Sequence, residues 1–194
     1  ENSFKMLRGK DVYRYGYKWS GKWIWYKPDL MMEKTGAGPR KLKYFLWDKI
    51  LIRDIAQEII ATYDDNKFLN NDTISIIYEI KDFNSKYILG LLNSKFINIW
   101  FKTNFQAGLH IKINQLQKIP IPNASQAEQE KIEKYAQIML ELNKELQATS
   151  VNTDKHNSLK LEIEKLDREI DEAIYKLYEL TNEEIAIIEN LRKR

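Results

Sequence analysis

From Leu159 onward, apolar residues return at alternating steps of four and three: Leu159, Ile163, Leu166, Ile170, Ala173, Leu177 and Leu180. That heptad spacing places all seven on one stripe of an α-helix, with charged residues on the remaining faces. Such a stripe needs a partner, because most helical stability in proteins comes from packing an amphipathic face. One lies upstream, where Ile132, Tyr135, Met139, Leu142 and Leu146 repeat with similar spacing before a polar connection, Thr149 to Asn157. The pattern predicts an antiparallel hairpin over residues 126–147 and 157–180. Ser125-Gln126-Ala127-Glu128 and Thr181-Asn182-Glu183-Glu184 are capping boxes, in which hydroxyl and carboxylate satisfy orphan amide donors reciprocally. The second box opens a short terminal helix carrying Ile185, Ile188 and Leu191.

The residues before the hairpin follow another rhythm. Phe4 to Tyr17, Trp23 to Tyr26, Lys49 to Arg53, Ile59 to Tyr63 and Thr73 to Ile80 carry the alternating, β-branched and aromatic runs of strands. Ser20-Gly21-Lys22 reads as a turn, and Met31 to Lys43, containing Thr35-Gly36-Ala37-Gly38-Pro39, as a flexible basic loop. From Asn84 the period becomes helical. Tyr87, Ile88, Leu91 and Leu92 form one apolar face, Phe96, Ile97, Trp100 and Phe101 the next, and Asn93-Ser94 ends one helix and caps the other. Leu109 to Ile113 is expected to return to strand, and Pro120 and Pro122 to force an extended exit. The fold class is therefore α+β. A small mixed-sheet head, residues 1–122, precedes a coiled-coil-like helical hairpin tail, residues 123–194.

Charge is distributed unevenly. Residues 1–53 hold 13 Lys and Arg against 5 Asp and Glu, together with 11 of the 23 aromatic residues, whereas residues 125–194 hold 11 against 16. A basic, aromatic-rich head suits a polyanion, because Lys and Arg release counterions from phosphates; the alternative is that the aromatics form core and the lysines solvate it. No apolar run approaches the ~18 residues that span a bilayer, so no membrane partner is expected. The absence of cysteine excludes disulfides and thiolate zinc sites and fits a cytoplasmic location. With no Met at position 1, the chain reads as a piece of a longer protein.

Catalytic machinery is not visible. Amino methylation of DNA bases uses an Asn- or Asp-Pro-Pro-aromatic loop, and this chain has no consecutive prolines. Gly36-Ala37-Gly38 is followed by Pro39-Arg40-Lys41, which suits a mobile loop better than a cofactor cradle. Pro28-Asp29 with Glu79-Ile80-Lys81 matches the letters of a nuclease motif, but Glu-x-Lys arises by chance in so charged a chain. His110 and His156 lie too far apart for a histidine metal cluster, and the acidic pairs Asp171-Glu172 and Glu183-Glu184 read as solvated helix faces. No catalytic and no metal residue is assigned.

Several segments together carry a family resemblance. Leu7-Arg8-Gly9-Lys10-Asp11-Val12, with Arg14-Tyr15 after it, resembles an opening strand, and Lys49 to Arg53 with Ala61-Thr62-Tyr63-Asp64 a middle segment. Leu89 to Lys95 is similar to a helix pair, Ile119-Pro120-Ile121-Pro122 to a closing strand, and Leu166-Asp167 through Ile185 to a tail. The order and spacing resemble the target recognition domain of type IIG-like restriction–modification enzymes and adenine-specific DNA methyltransferases, the TaqI-like C-terminal specificity domain. Half of a type I specificity subunit and BREX-type methyltransferases share this architecture. The resemblance implies a sequence-specific duplex-DNA recognition module that positions its target for a catalytic domain. The parent would methylate adenine N6 with S-adenosylmethionine, and where a nuclease is fused to it would use Mg2+. Those sites would lie N-terminal to Glu1, so this fragment itself is expected to hold no cofactor. The expected partners are double-stranded DNA and the methyltransferase and nuclease domains of the same chain, with a homodimer through the tail as an option.

In that role Lys and Arg grip phosphates, while Arg, Lys, Asn and Gln read base edges in the major groove. The first candidates are Lys34, Arg40, Lys41 and Lys43; the second set is His110, Lys112, Asn114 and Gln115. Lys10, Asp11 and Arg53 are expected to maintain the fold. Two other readings stand beside this one. The tail could make the chain a coiled-coil interaction module, or Tyr13, Tyr15, Trp19 and Trp23 could stack RNA bases.

Overall fold

The structure, a computed structural model, describes residues 2–35, 38–105 and 108–191. Its strands are β1 (Ser3–Leu7), β2 (Val12–Tyr13), β3 (Gly16–Tyr17), β4 (Trp23–Trp25), β5 (Lys49–Arg53), β6 (Ala61–Asp64), β7 (Leu69–Asn70) and β8 (Ile74–Ile77). Its helices are α1 (Pro28–Met32), α2 (Lys43–Leu46), α3 (Ser85–Asn93), α4 (Lys95–Asn104), α5 (Ile113–Leu116), α6 (Gln126–Ala148), α7 (Asp154–Leu177) and α8 (Asn182–Leu191).

Alternation along β5 organises the head. β5 lies between β6 and β8, antiparallel to both. Ile50 and Ile52 point to one face and pack with Ile59, Tyr87, Leu89 and Leu91, the helical side. Leu51 points to the other and packs with Leu7, Val12, Phe68 and Ile74. A strand buried on both faces reads as a near-continuous apolar run, and here the run is flanked by charges at both ends. On the far side, β1 joins antiparallel β4 to parallel β7, and β2 and β3 form a separate hairpin.

The tail is the expected hairpin, and its apolar seam is spent on the head. Ile132, Ala136 and Met139 of α6 and Leu166, Ile170 and Ile174 of α7 belong to the same buried cluster as Ile88 and Leu89 of α3. The approach of α3 to α6 is close: a Cβ at Gly90 would come within 2.6 Å of Ile132 Cγ2. Both capping boxes form. Glu128 accepts from Ser125 N–H at 2.8 Å and Glu184 from Thr181 N–H at 2.8 Å. Ser94 caps α4, its hydroxyl accepting from Ile97 N–H.

Three sequence expectations need correction. The heptad stripe does not reach Leu180, because α7 ends at Leu177. Glu179 then takes a left-handed φ of 55°, and Leu180 N–H donates to the Tyr175 carbonyl at 3.0 Å, the closure of a Schellman-type end. Toward that end Ile174 and Tyr175 are buried while Ala173 and Leu177 are only half-buried, as expected when a straight helix of 3.6 residues per turn drifts from a 3.5 repeat. Leu109 to Ile113 makes no strand: a single bridge joins His110 to Ile55, Gly108 turns the chain at φ 101°, and Ile113 already opens α5. Ile119 to Pro122 forms no strand among the described residues, and two of its four residues lack an N–H.

Candidate nucleic-acid interface

The first predicted loop is framed by two short helices rather than being irregular throughout, and residues 36 and 37 lie outside the described set. Lys34, Arg40, Lys41 and Lys43 are all exposed. The loop is tethered where the Tyr26 hydroxyl donates to the Arg40 carbonyl. Lys43 lies over the rings of Tyr44 and Trp47, at 5.1 and 5.7 Å, and Tyr44 stacks on Tyr78. Beneath the loop a cavity of about 340 Å³ runs from Ile24 and Tyr26 past Pro39 and Arg40 to Asn71 and Asp72.

The second loop is held by main-chain bonds to the segment after β5. Ala56 N–H donates to the Leu109 carbonyl at 2.8 Å, and Ile111 N–H donates to the Asp54 carbonyl at 2.8 Å. His110 sits 3.1 Å from the Asp54 carboxylate. Lys112 and Asn114 are exposed and project from the start of α5. Gln115 is committed locally, its side-chain oxygen accepting from Lys112 N–H at 3.0 Å, so it caps its own helix.

The two loops are held by different parts of the head. Asp54, which holds the second loop, donates its own N–H to the Thr73 carbonyl at 3.0 Å, and Asn71 and Asp72 just before Thr73 line the cavity under the first loop. The second loop is thus fixed where β5 ends and β8 begins, whereas the Lys43 end of the first loop runs into the start of β5, with Tyr44 stacked on Tyr78 just after β8. Asp11 is buried and accepts from Arg8 N–H at 2.8 Å, and Arg53 donates to the Ile55 carbonyl, both bonds internal to the fold.

Sequence reasoning singled out Trp19 and Trp23 but missed Trp25, which shares a basic, aromatic face with Trp23 on the neighbouring sheet. Trp23 and Trp25 are each 57% exposed on β4. The signal was there: Trp-Ile-Trp on a strand sends both indoles to one side and Ile24 to the other. Of the four aromatics proposed to stack bases, Tyr15 is only 1% exposed and belongs to the core, where burial raises its hydroxyl well above the usual tyrosine range.

A second set of polar residues lines a cavity of about 400 Å³ and serves the fold. Arg14 grips Asp167 of α7 with two nitrogens, at 2.6 and 3.1 Å, and donates to the Asn93 carbonyl. Asn93 pairs with both main-chain groups of Ala61, and Asn98 accepts from Ile59 N–H. Asp171, expected on a solvated face, is 2% exposed. It accepts from Lys95 N–H at 2.9 Å at the start of α4, with Lys95 Nζ 3.4 Å away and Glu189 of α8 on that same ammonium.

Burial pushes the Asp171 carboxyl up to about 6, with Asp167 adding repulsion and Lys95 and Arg14 opposing both. Its proton is held more tightly folded than unfolded. Its contribution to stability is therefore full below about pH 4, the unfolded value, and lost as pH rises through about 6. Asp171→Asn should therefore gain melting temperature relative to the parent at pH 8, and the gain should shrink toward pH 5. A difference that does not change with pH would disprove this.

Among the described residues there is no cluster of metal-ligating side chains, and no helix is long and apolar enough to cross a membrane. The family model of the TaqI-like C-terminal specificity domain matches residues 4–121. Among solved structures, the chain is similar to the type IIL restriction–modification enzyme MmeI in complex with DNA. The TM-score is 0.65 and the identity 14%, over 99% of this chain and 30% of that one. At this identity the likeness establishes the fold, and the chain spans under a third of that enzyme's length. No curated protein matches the chain.

Proposed function

Because the chain belongs to the TaqI-like C-terminal specificity domain family, we propose that it selects a duplex DNA sequence on behalf of a restriction–modification enzyme. The observation that carries this reading is the pair of exposed basic loops, one leading into β5 and the other bonded to the segment after it. Lys34, Arg40, Lys41 and Lys43 supply phosphate contacts. Lys112 and Asn114 supply candidate base contacts, with His110 beside them. Gln115 drops to a supporting role, since its side chain holds α5. The reaction served is methylation of adenine N6 from S-adenosylmethionine by a domain elsewhere in the parent, with Mg2+ only where a nuclease accompanies it. This module contributes register and orientation.

Packing favours this reading over an interaction module. The stripe that a coiled-coil partner would need is occupied by α3 and α4 of the head. RNA stacking through Tyr15 would require exposing a core side chain.

The test is binding of a duplex library in competition with single-stranded DNA and RNA. Duplex should compete best. Arg40→Ala and Lys41→Ala should weaken binding to every sequence and flatten the salt slope by about one unit per contact. Asn114→Ala or Lys112→Ala should cost ~1–3 kcal/mol at the preferred site alone. Affinity, salt slope and site choice all unchanged across both loops would sink the proposal.

A further inference from the structure

Trp23 and Trp25 are the least explained side chains of the head. The register of β1 with β4 sets Lys5 opposite Trp23 and Ser3 opposite Trp25, so these four share the outer face of the edge sheet. Trp19 meets Trp23 edge to face at 5.4 Å between ring centroids. Lys5 Nζ lies 4.7 Å from the Trp19 ring, and Lys27 Nζ lies 3.9 Å from the Trp25 ring. A lysine held over an indole is attracted through the ring face and keeps its N–H donors for another acceptor. Among the described residues, the ion pairs include none of Lys5, Lys18, Lys22 or Lys27, although Asp29 and Glu33 stand on and just after the neighbouring α1. The exposed indoles of Trp23 and Trp25 likewise make no side-chain hydrogen bond among the described residues, leaving two further donors.

We infer that this outer face of the β1–β4 sheet, with Lys5, Trp23, Trp25 and Lys27, is a second DNA contact that grips backbone phosphates. The inference rests on the duplex-DNA reading above and adds a surface to it. The choice of occupant follows from charge and from what the rings present. Trp19 and Trp25 are already covered on one face by ammonium groups, so the patch offers cationic donors and indole N–H groups rather than a bare apolar pocket. An anionic backbone satisfies those donors. A protein hot spot would instead be expected to bury open aromatic faces in a desolvated pocket. Single-strand binding would need ring faces free for bases.

The experiment uses the intact chain and a labelled duplex, with anisotropy titrations between 50 and 200 mM salt and circular dichroism to confirm folding. Lys5→Gln with Lys27→Gln removes two phosphate contacts. The salt slope should flatten by about 1.8 units, so the variant should lose about tenfold less affinity across that range than the parent does. Trp23→Ala with Trp25→Ala should weaken binding equally for all duplex sequences. Arg40→Gln with Lys41→Gln serves as the control for the loops. If the parent binds and the loop variant weakens while both β4-face variants match the parent, the second contact is overturned and the duplex reading stands. Defects confined to single-stranded DNA, RNA or a protein partner overturn it too. If the parent shows no salt-dependent duplex binding, both inferences fall together.

Discussion

Replacing Ile170 with Asp, alone or together with Leu166→Asp, is expected to unfold the whole chain rather than loosen its tail. Ile170 is 1% exposed and lies in one buried cluster with Leu89 and Leu91 of the head and Ile132 and Met139 of α6. A carboxylate buried among these apolar side chains costs several kcal/mol. That is comparable with the whole stability of an ordinary domain, about 5–15 kcal/mol. The sheet of the head packs against the same helices, so β-structure and helix should be lost in one transition. Circular dichroism and near-ultraviolet signals from the head should melt together, at much lower temperature than in the parent. Leu161→Asp is the control: Leu161 sits on the same helix but is exposed, and should be tolerated. Retained helicity in Ile170→Asp, or a head that melts independently of it, would show that the shared core is not what holds the tail.

What could be read from the sequence was whatever a local pattern encodes. The hairpin stripe, both capping boxes, the Ser94 cap and the β5 run each depend on residues within a few positions of one another, and each appears where the pattern put it, except that the stripe stops at Leu177. What escaped depends on distant partners. Asp171 lies among Glu169, Glu172 and Arg168, a sequence that looks solvated; it is buried because Lys95, 76 residues earlier, starts α4 against it. Gln115 looked like a base reader because nothing in its type reveals that it closes a turn with Lys112. The β4 face was half visible, since alternation pairs Trp23 with Trp25, but the lysines that cover the indoles come from β1 and from the end of the strand. The loops themselves were legible as basic and exposed, whereas the bonds that hold the second one to Asp54 and Ala56 were not.

The second large effect is expected at Lys49, a charge buried in the middle of the head. Lys49 and Asp64 are opposite one another across β5 and β6, and both side chains are fully buried. Lys49 Nζ donates to Asp64 and to the Phe45 carbonyl at 2.7 Å, while Asp64 also accepts from Asn66 N–H at 2.9 Å and Phe68 N–H at 3.1 Å. Burial raises the Asp64 carboxyl, and Lys49 pulls it back down. Lys49→Met removes that opposing charge and leaves a buried carboxylate with only two amide donors, which should cost about 3–5 kcal/mol. Asp64→Asn added to Lys49→Met removes the stranded charge while an amide oxygen still accepts from the turn, and should recover most of the loss. Without Lys49 the folded-state value of Asp64 rises further, so its protonated form supports the fold. That contribution is full below the unfolded value near pH 4 and is lost as pH rises through the raised folded value, so Lys49→Met should be relatively more stable at pH 5 than at pH 8. Urea midpoints of the parent, both single variants and the double variant at those two pH values give the coupling directly. A Lys49→Met protein within about 1 kcal/mol of the parent would mean that the pair is not the electrostatic pin of the head, because an unpaired charge in a dry interior cannot be that cheap.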